Sequence, residues 1–253
     1  MILSEFLPFI LYSLIAGLLI GCVGIGGVIL IPLLTYLGGI DIRTAIAAAM
    51  FAYLISGTVG TIIYARHKSI RWDLVIWMSV GAMPAALAGA FTVNISPGVF
   101  LEACIGILAI ASGIQTLITK VANNETIDVA LGKKKLVSIG ATTGFLSALT
   151  GTGGPLVLIP ILMWIQLPVL MAIGLAQAIQ LPIAILATAG NAYAGTLDIV
   201  LGCALGVGIS LGAWGGSNFA HRLPRPTLRL IVAILLIIVG TIIISKLIYN
   251  MLA

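Results

Sequence analysis

Charged side chains are scarce in this chain, and their scarcity decides its class. Only 8% of the 253 residues are charged, against about 25% in soluble domains. The chain is 61% hydrophobic, with a mean hydropathy of +1.25. Its apolar runs have the length of membrane-spanning helices and lack the short alternating pattern of barrel strands. The sequence therefore predicts an all-α, multi-pass protein of the inner cell membrane and excludes a soluble domain.

Metal-ligating and catalytic groupings are also lacking. The three cysteines, Cys22, Cys104 and Cys203, lie far apart in apolar segments, and the two histidines, His67 and His221, adjoin basic residues. No Ser/His/Asp or Cys/His set lies at membrane depth. We therefore expect no enzyme activity, no metal and no other cofactor. The net charge of +5 lies in short loops between apolar segments, which argues against nucleic-acid binding.

A glycine-rich motif is present and occurs twice. Residues 24–27 read Gly-Ile-Gly-Gly and precede an apolar run that ends at Pro32. At an offset of 127 positions, residues 151–154 read Gly-Thr-Gly-Gly and precede Pro155 and a similar run. Glycine weakens helices, and broken backbone at membrane depth is tolerated only where it packs in protein or lines a cavity. The two breaks are therefore the predicted functional centre.

Eight hydrophobic segments in two repeats of four are predicted around these breaks, with the first segment of each repeat carrying the motif. The first repeat takes residues 1–120, a cytoplasmic linker residues 121–135, and the second repeat residues 136–253. Equivalent loops differ in charge: residues 66–71 are basic, whereas their counterpart at 195–198 is not. This difference predicts that the two repeats have inverted orientations in the membrane.

The basic residues also favour a re-entrant topology, in which each glycine-broken segment folds back. Of the twelve lysines and arginines, this topology leaves only Arg43 and Lys246 outside, whereas eight full crossings distribute them more evenly. The re-entrant topology would bring both glycine tips to the midplane, where inverted-repeat transporters bind their substrates. The alternative of full crossings stays open at this stage.

The tips predict an anion site, because a helix that starts in mid-membrane presents unsatisfied N–H groups and the positive end of its dipole. Pro155 suits the first turn of such a helix. Polar residues at spacings of three and four form a stripe along the sixth segment. Tyr53 of the second segment lies 127 positions before Gln180 of this stripe and is its equivalent. The predicted substrate-binding residues are Gly24, Gly26, Gly27, Tyr53, Thr150, Gly151, Thr152, Gly153, Gly154, Pro155, Gln177, Gln180, Thr188 and Asn191. An alternative interpretation of the stripe is hydrogen bonding between helices, with no ligand.

The paired motifs at residues 24–32 and 151–160, the two four-segment halves and the basic loop after the second segment resemble the sulfite exporter TauE/SafE family. This family is also called the 4-toluenesulfonate uptake permease family. The resemblance covers nearly the whole chain and implies transport of sulfite, sulfonates or other small organosulfur anions. We expect export of such an anion, because an inside-negative membrane potential drives anions out of the cell.

Other functions stay open beside this expectation. One is transport of another small anion or sulfur compound, such as thiosulfate or a carboxylate, including proton-coupled uptake. A membrane enzyme or an assembly subunit is less favoured. The expected partners are the anionic substrate and the lipid bilayer, with a homodimer as an open option.

Overall fold

A computed structural model describes residues 2–23, 26–66, 70–118, 132–167, 169–220 and 225–252. Within these ranges the fold is all-helical, as the composition predicted. The helices are α1 (Ile2–Val23), α2 (Gly27–Pro32), α3 (Ile42–Arg66), α4 (Trp72–Ile95), α5 (Gly98–Ile118), α6 (Lys133–Thr150), α7 (Pro155–Trp164), α8 (Val169–Tyr193), α9 (Ile199–Ala220) and α10 (Arg225–Leu252). A π-helical segment, Leu33–Leu37, continues α2.

Five of the described helices, α3, α4, α5, α8 and α9, are long and apolar enough to cross a membrane. Shorter apolar stretches lie in α1, in α2 with its π-helical continuation, in α7 and in α10. Large apolar side chains such as Ile76, Ile107 and Val207 are exposed on the outer faces of these helices. An apolar outer surface of this kind fits hydrocarbon as the surrounding solvent.

The second glycine motif separates α6 from α7. Gly151, Gly153 and Gly154 have φ angles of 66°, 79° and 113°, which side chains with a Cβ rarely adopt. Gly151 ends α6 in the left-handed conformation. Pro155 then begins α7, at a position where the missing N–H removes no helical hydrogen bond. Glycine is therefore required at three positions of this turn.

The first glycine motif joins two helices that lie side by side. Gly26 caps α2 and packs against the backbone of α1 at Ala16 and Ile20. Gly38, just beyond the π-helical segment, lies against Phe9 near the start of α1. Since Gly26 contacts the later part of α1 and Gly38 the earlier part, α2 and its continuation run back along α1 as a helical hairpin.

α7 likewise turns back after the second motif. Ser112 of α5 donates a hydrogen bond to the carbonyl of Leu156 at 3.4 Å, and Gln115 donates to the carbonyl of Pro160 at 3.1 Å. The residue numbers rise together, so α7 is parallel to α5. α6 is parallel to α4, because Gly81 faces Val137 and Gly89 faces Phe145.

Close glycine contacts join the two halves of the chain. Gly17 of α1 packs directly on the backbone of Ile209 in α9, and Gly144 of α6 packs on the backbone of Ala82 in α4. A side chain at either glycine would overlap the neighbouring backbone. These helix pairs are therefore held at a distance that only glycine allows.

α3 and α8 cross the interior in opposite directions. Gln180 Nε2 donates to Ser56 Oγ at 3.3 Å, and Thr61 Oγ1 donates to the carbonyl of Gln177 at 3.2 Å. Residue numbers thus rise along α3 as they fall along α8. The two helices bring the middle of the first half against the middle of the second.

The ends of the helices define two faces of the protein. Arg66 ends α3, Arg71 precedes α4, and the ammonium of Lys133 lies 4.6 Å from the ring centroid of Trp77 in α4. We call this basic side the linker face. We call the opposite side, where α3 begins after Asp41 and α8 ends at Tyr193, the Asp41 face.

Candidate functional site

The two glycine motifs meet in the interior around Tyr53. A methyl group on Gly27 would overlap the Tyr53 hydroxyl and would lie 2.8 Å from the carbonyl oxygen of Thr152. A methyl group on Gly153 would lie 2.8 Å from Cδ2 of the Tyr53 ring. We call the group formed by Gly27, Tyr53, Thr152 and Gly153 the tip site. Its glycines allow the backbones of both halves to approach one aromatic side chain.

The hydroxyl of Tyr53 is the unsatisfied polar group of the tip site. Tyr53 is 1% exposed, and its hydroxyl has no hydrogen-bond partner among the described residues. Burying a hydroxyl without a partner costs about 1–3 kcal/mol, and buried polar groups are nearly always paired in native structures. The Tyr53 O–H is therefore available to donate to a bound molecule.

The hydroxyl protons of the second tip are already engaged. Thr150 Oγ1 donates to the carbonyl of Leu146 at 2.7 Å and lies 3.1 Å from Thr152 Oγ1. Because the Thr150 proton goes to Leu146, the Thr152 hydroxyl is the donor in the contact between the two. The Thr152 N–H donates to the carbonyl of Ser147 at 3.2 Å. These threonines fix the shape of the turn, whereas sequence reasoning treated them as donors to a ligand.

The start of α7 supplies backbone donors next to this turn. Gly154 is the N-cap and provides no side-chain capping bond. Its carbonyl accepts from the N–H groups of Val157 at 3.1 Å and Leu158 at 3.0 Å. Helix geometry leaves the N–H of Leu156 without an intrahelical partner, and the positive end of the α7 dipole lies at this end of the helix.

Gln180 borders the tip site from α8. A methyl group on Gly154 would lie 3.8 Å from its Cα atom. The Gln180 amide donates to Ser56, a residue that the sequence did not single out. Gln177 lies one turn closer to the linker face, where its Oε1 packs against Gly60. Both glutamines are buried, and they form the part of the predicted stripe nearest the tips.

Thr188 and Asn191 lie apart from the tip site. Asn191 follows Gln180 by eleven positions, which is about 16 Å along a helix. Its Oδ1 accepts a hydrogen bond from Asn94 Nδ2 at 3.2 Å near the Asp41 face. The predicted stripe therefore does not form one wall of a single site. It divides into a pair of glutamines near the tips and a distant Thr–Asn pair.

Three further predicted residues are Gly24, Gly26 and Gly151. Gly24 lies outside the described residues. Gly26 packs on α1, away from Tyr53, and Gly151 packs on Ile31 and Ile46.

Sequence reasoning missed two buried hydroxyls on α6, those of Thr143 and Ser147, which have no partner among the described residues. In the sequence, Thr143 and Ser147 are four positions apart, so they lie one turn apart on α6, and one further turn leads to Gly151.

The described residues contain no group of three His, Cys, Asp or Glu side chains that could hold a metal ion. The side chains named around the tip site are all uncharged. The chemistry that the site offers is hydrogen-bond donation from backbone N–H, phenol and amide groups.

These features define a multi-pass helical membrane protein in which two broken helices meet at a buried, uncharged polar site. The profile of the family described as "Sulfite exporter TauE/SafE" matches residues 9–243. The match covers nearly the whole chain. The chain therefore belongs to the TauE/SafE sulfite exporter family, whose name describes a transporter and not an enzyme.

Relatives of this chain carry matching names. It is 28% identical to the probable membrane transporter protein MJ0441 of Methanocaldococcus jannaschii over 69% of each chain. It is 25% identical to the probable membrane transporter protein YjnA of Bacillus subtilis, over 91% of this chain and 96% of the relative. For the probable membrane transporter protein YunE of the same organism, the identity is 20% over 93% and 96%. No solved structure matches.

Proposed function

We propose that this protein exports a small sulfur-containing anion, sulfite or a short organosulfonate, across the cell membrane and binds it at the tip site near the midplane. The observation that carries the proposal is the Tyr53 hydroxyl, which is buried between the two glycine motifs and has no partner among the described residues. An oxyanion accepts several hydrogen bonds at once. A neutral donor set would bind it without burying a cation, which is costly in a low-dielectric interior.

The contacts between the two halves support an inverted repeat. Adding the motif offset of 127 positions to Gly17 gives Gly144, and subtracting it from Ile209 gives Ala82. The contact of Gly17 with Ile209 thus has an equivalent in the contact of Gly144 with Ala82. This exchange of partners is what a pseudo-twofold axis between two repeats produces.

The helix directions support inversion over a parallel arrangement. α3 and α8 are equivalent in the two repeats and run antiparallel. α5 and α10 are also equivalent, and they too run antiparallel, because Gly106 faces Ile243 while Gly113 faces Ile237. Equivalent helices run in opposite directions when the axis lies in the membrane plane. Both helical hairpins then enter from opposite faces and place their tips together.

This architecture suits alternating access, in which one repeat rocks against the other around a fixed central site. An inside-negative membrane potential supplies the driving force. A dianion leaving the cell gains roughly 4–5 kcal/mol per 100 mV, at about 2.3 kcal/mol for each charge. Export of sulfite therefore needs no coupling ion.

Tyr53→Phe tests the proposal, because it removes the unpartnered hydroxyl and leaves the ring in place. We expect sulfite flux into or out of proteoliposomes to fall about 10- to 100-fold, since a hydrogen bond to a charged group contributes about 1.5–3 kcal/mol. We expect the apparent melting temperature to stay the same or rise, because an unsatisfied buried hydroxyl is removed. Flux should be measured with the membrane potential clamped at each sign.

Tyr249→Phe is the matched control, because Tyr249 is 71% exposed and lies on α10, outside the tip site. It should leave sulfite flux unchanged. Wild-type liposomes that carry no sulfite at either potential would refute the substrate. Full flux in a folded Tyr53→Phe protein would refute the site.

A further inference from the structure

We propose a second anion-binding site at the Asp41 face, formed by Arg43 of α3 and by Thr188 and Asn191 of α8, with Asn94 of α4 as their support. It rests on the proposed function, since its ligand is the transported anion on the exit side of the tip site. The proposal starts from polar atoms that are buried near this face and have no hydrogen-bond partner.

The first observation is an incompletely paired amide cluster. Asn94 Nδ2 donates both to the carbonyl of Ala90, at 2.8 Å, and to Asn191 Oδ1, at 3.2 Å. Both protons of the Asn94 amide are thereby engaged, and its Oδ1 is buried with no partner among the described residues. Asn191 is 0% exposed, and its Nδ2 group has no partner among the described residues. The amide of Asn191 is therefore held in place by its oxygen, with two N–H donors unused.

A hydroxyl joins this amide on the same side of α8. Thr188 precedes Asn191 by three positions, so both side chains lie on one face of the helix. Thr188 is 8% exposed, and its Oγ1 has no partner among the described residues. α8 is fixed against α4 here, because Gly190 packs on Ala90. Two unpaired donor groups are thus presented next to each other.

A cation belongs to the same end of the bundle. Arg43 Nη2 donates to the carbonyl of Ser96 at 2.8 Å, two positions after Asn94. Arg43 Nε is buried and has no partner among the described residues. The nearby carboxylate of Asp41 accepts the backbone N–H groups of Arg43 and Thr44, at 3.0 and 3.4 Å. Arg43 thus forms no ion pair in the part of the chain that the structure describes.

At the linker face, the positions that the offset relates to this site carry different residues. The offset of 127 positions places Thr61 and Tyr64 where α8 has Thr188 and Asn191. The Thr61 hydroxyl already donates to the carbonyl of Gln177 at 3.2 Å. The position equivalent to Arg43 is Leu170, which carries no charge. A cation with unpaired N–H and O–H donors is the set that recognises an oxyanion. Of the two sets of related positions, as far as the structure describes them, the set at the Asp41 face carries these groups.

Binding and sided transport test the inference. Radiolabelled sulfite should bind to the purified wild-type protein in two classes of site. Arg43→Gln and Thr188→Val should each abolish or weaken one class at least tenfold, whereas Tyr53→Phe should weaken the other. Arg43→Lys should restore part of the lost affinity, because it keeps the charge.

In oriented proteoliposomes, Thr188→Val should raise the KM for sulfite supplied at the Asp41 face about tenfold and leave the KM at the linker face unchanged.

Thr61→Val, at the equivalent position near the linker face, is the matched control and should not change the KM at the Asp41 face. Asn191→Leu gives a second variant should Thr188→Val fold poorly. A single class of binding that Arg43→Gln leaves intact would overturn the inference, and so would equal KM changes at both faces. Either result would leave the proposed function standing if wild-type flux is present. Two classes of binding without sulfite flux would refute the proposed function and would leave the second site as an anion-binding site without a role in transport.

Discussion

The two glycine motifs have nearly the same sequence and different chemistry. The second tip carries Thr150 and Thr152 and turns through three glycines with positive φ. The first tip has Val23 and Ile25 at the equivalent positions, and its Gly26 has a negative φ. One tip is a hydrogen-bonded turn, and the other is a closely packed apolar helix start.

The difference teaches that, in the site we propose, the two tips contribute unequally. The second tip offers the start of α7 and a turn fixed by its threonines. The first tip offers space, since Gly27 lets the Tyr53 hydroxyl lie against the backbone. The motif offset of 127 positions relates Tyr53 of α3 to Gln180 of α8. Gln180 has a hydrogen-bond partner, whereas the Tyr53 hydroxyl has none among the described residues. Two positions related by the offset therefore differ in whether their polar group is paired.

Gly153→Ala should have the largest effect on this comparison. Alanine in a left-handed conformation costs about 1–2 kcal/mol, and its methyl group would also lie 2.8 Å from the Tyr53 ring. We expect a large fall in apparent melting temperature and loss of flux. Gly39→Ala is the matched control: Gly39 has a similar φ of 67° but no atom within 4 Å of an added methyl group. Equal stability losses in the two variants would show that packing against Tyr53 contributes nothing.

Gly27→Ala should follow in size, with a loss that depends on Tyr53. Gly27 begins α2 in helical conformation, so the added methyl group acts through its overlap with the Tyr53 hydroxyl and the Thr152 carbonyl. The double variant with Tyr53→Phe should recover part of the loss in melting temperature, because the hydroxyl is gone. Residues in contact show such coupling in double-mutant cycles. Strictly additive losses would contradict the close approach of the first tip to Tyr53.

Thr150→Val should have the smallest effect and should act on the second tip alone. It removes the bonds of Thr150 to Leu146 and Thr152 and leaves Thr152 Oγ1 without its partner. We expect a loss of about 1 kcal/mol in stability, read as a modest fall in melting temperature, with sulfite flux reduced less than in Tyr53→Phe. Thr92→Val is the control, because the Thr92 hydroxyl donates to the carbonyl four residues earlier, at 2.8 Å, and has no second partner among the described residues. A flux loss as large as that of Tyr53→Phe would show that Thr150 contacts the anion directly.

Much of the helical framework was predictable because its causes are local. The basic loop predicted at residues 66–71 lies where α3 ends, at Arg66, and where α4 begins, at Trp72. Capping residues, turn prolines and loss of hydropathy mark such ends in the sequence itself. α6 begins earlier than predicted, at Lys133, because three lysines were read as linker when they form the first turn of a helix.

The site was less predictable, since a polar residue shows its type in the sequence but not its partner. Asn191 shared a stripe with Gln180, yet its hydrogen-bond partner is Asn94 of α4, 97 positions away in the chain. Arg43 was one of the two basic residues that the re-entrant topology leaves outside, but the sequence did not show that its guanidinium donates to the carbonyl of Ser96, just beyond the end of a different helix. Such pairings depend on how separate helices pack, and the periodicity of polar residues along one helix does not reveal that packing.

The sequence by itself determined the class of the protein, the helical segments and the two places where helices break, because hydropathy and glycine act on the chain locally. Only the tertiary structure decided which donors are free. Thr150 and Thr152 are hydrogen-bonded to each other, while the Tyr53 hydroxyl is buried with no partner in the part of the chain that the structure describes. The physical reason is that satisfaction of a hydrogen bond is a property of a pair, and the members of these pairs come from helices far apart in the chain.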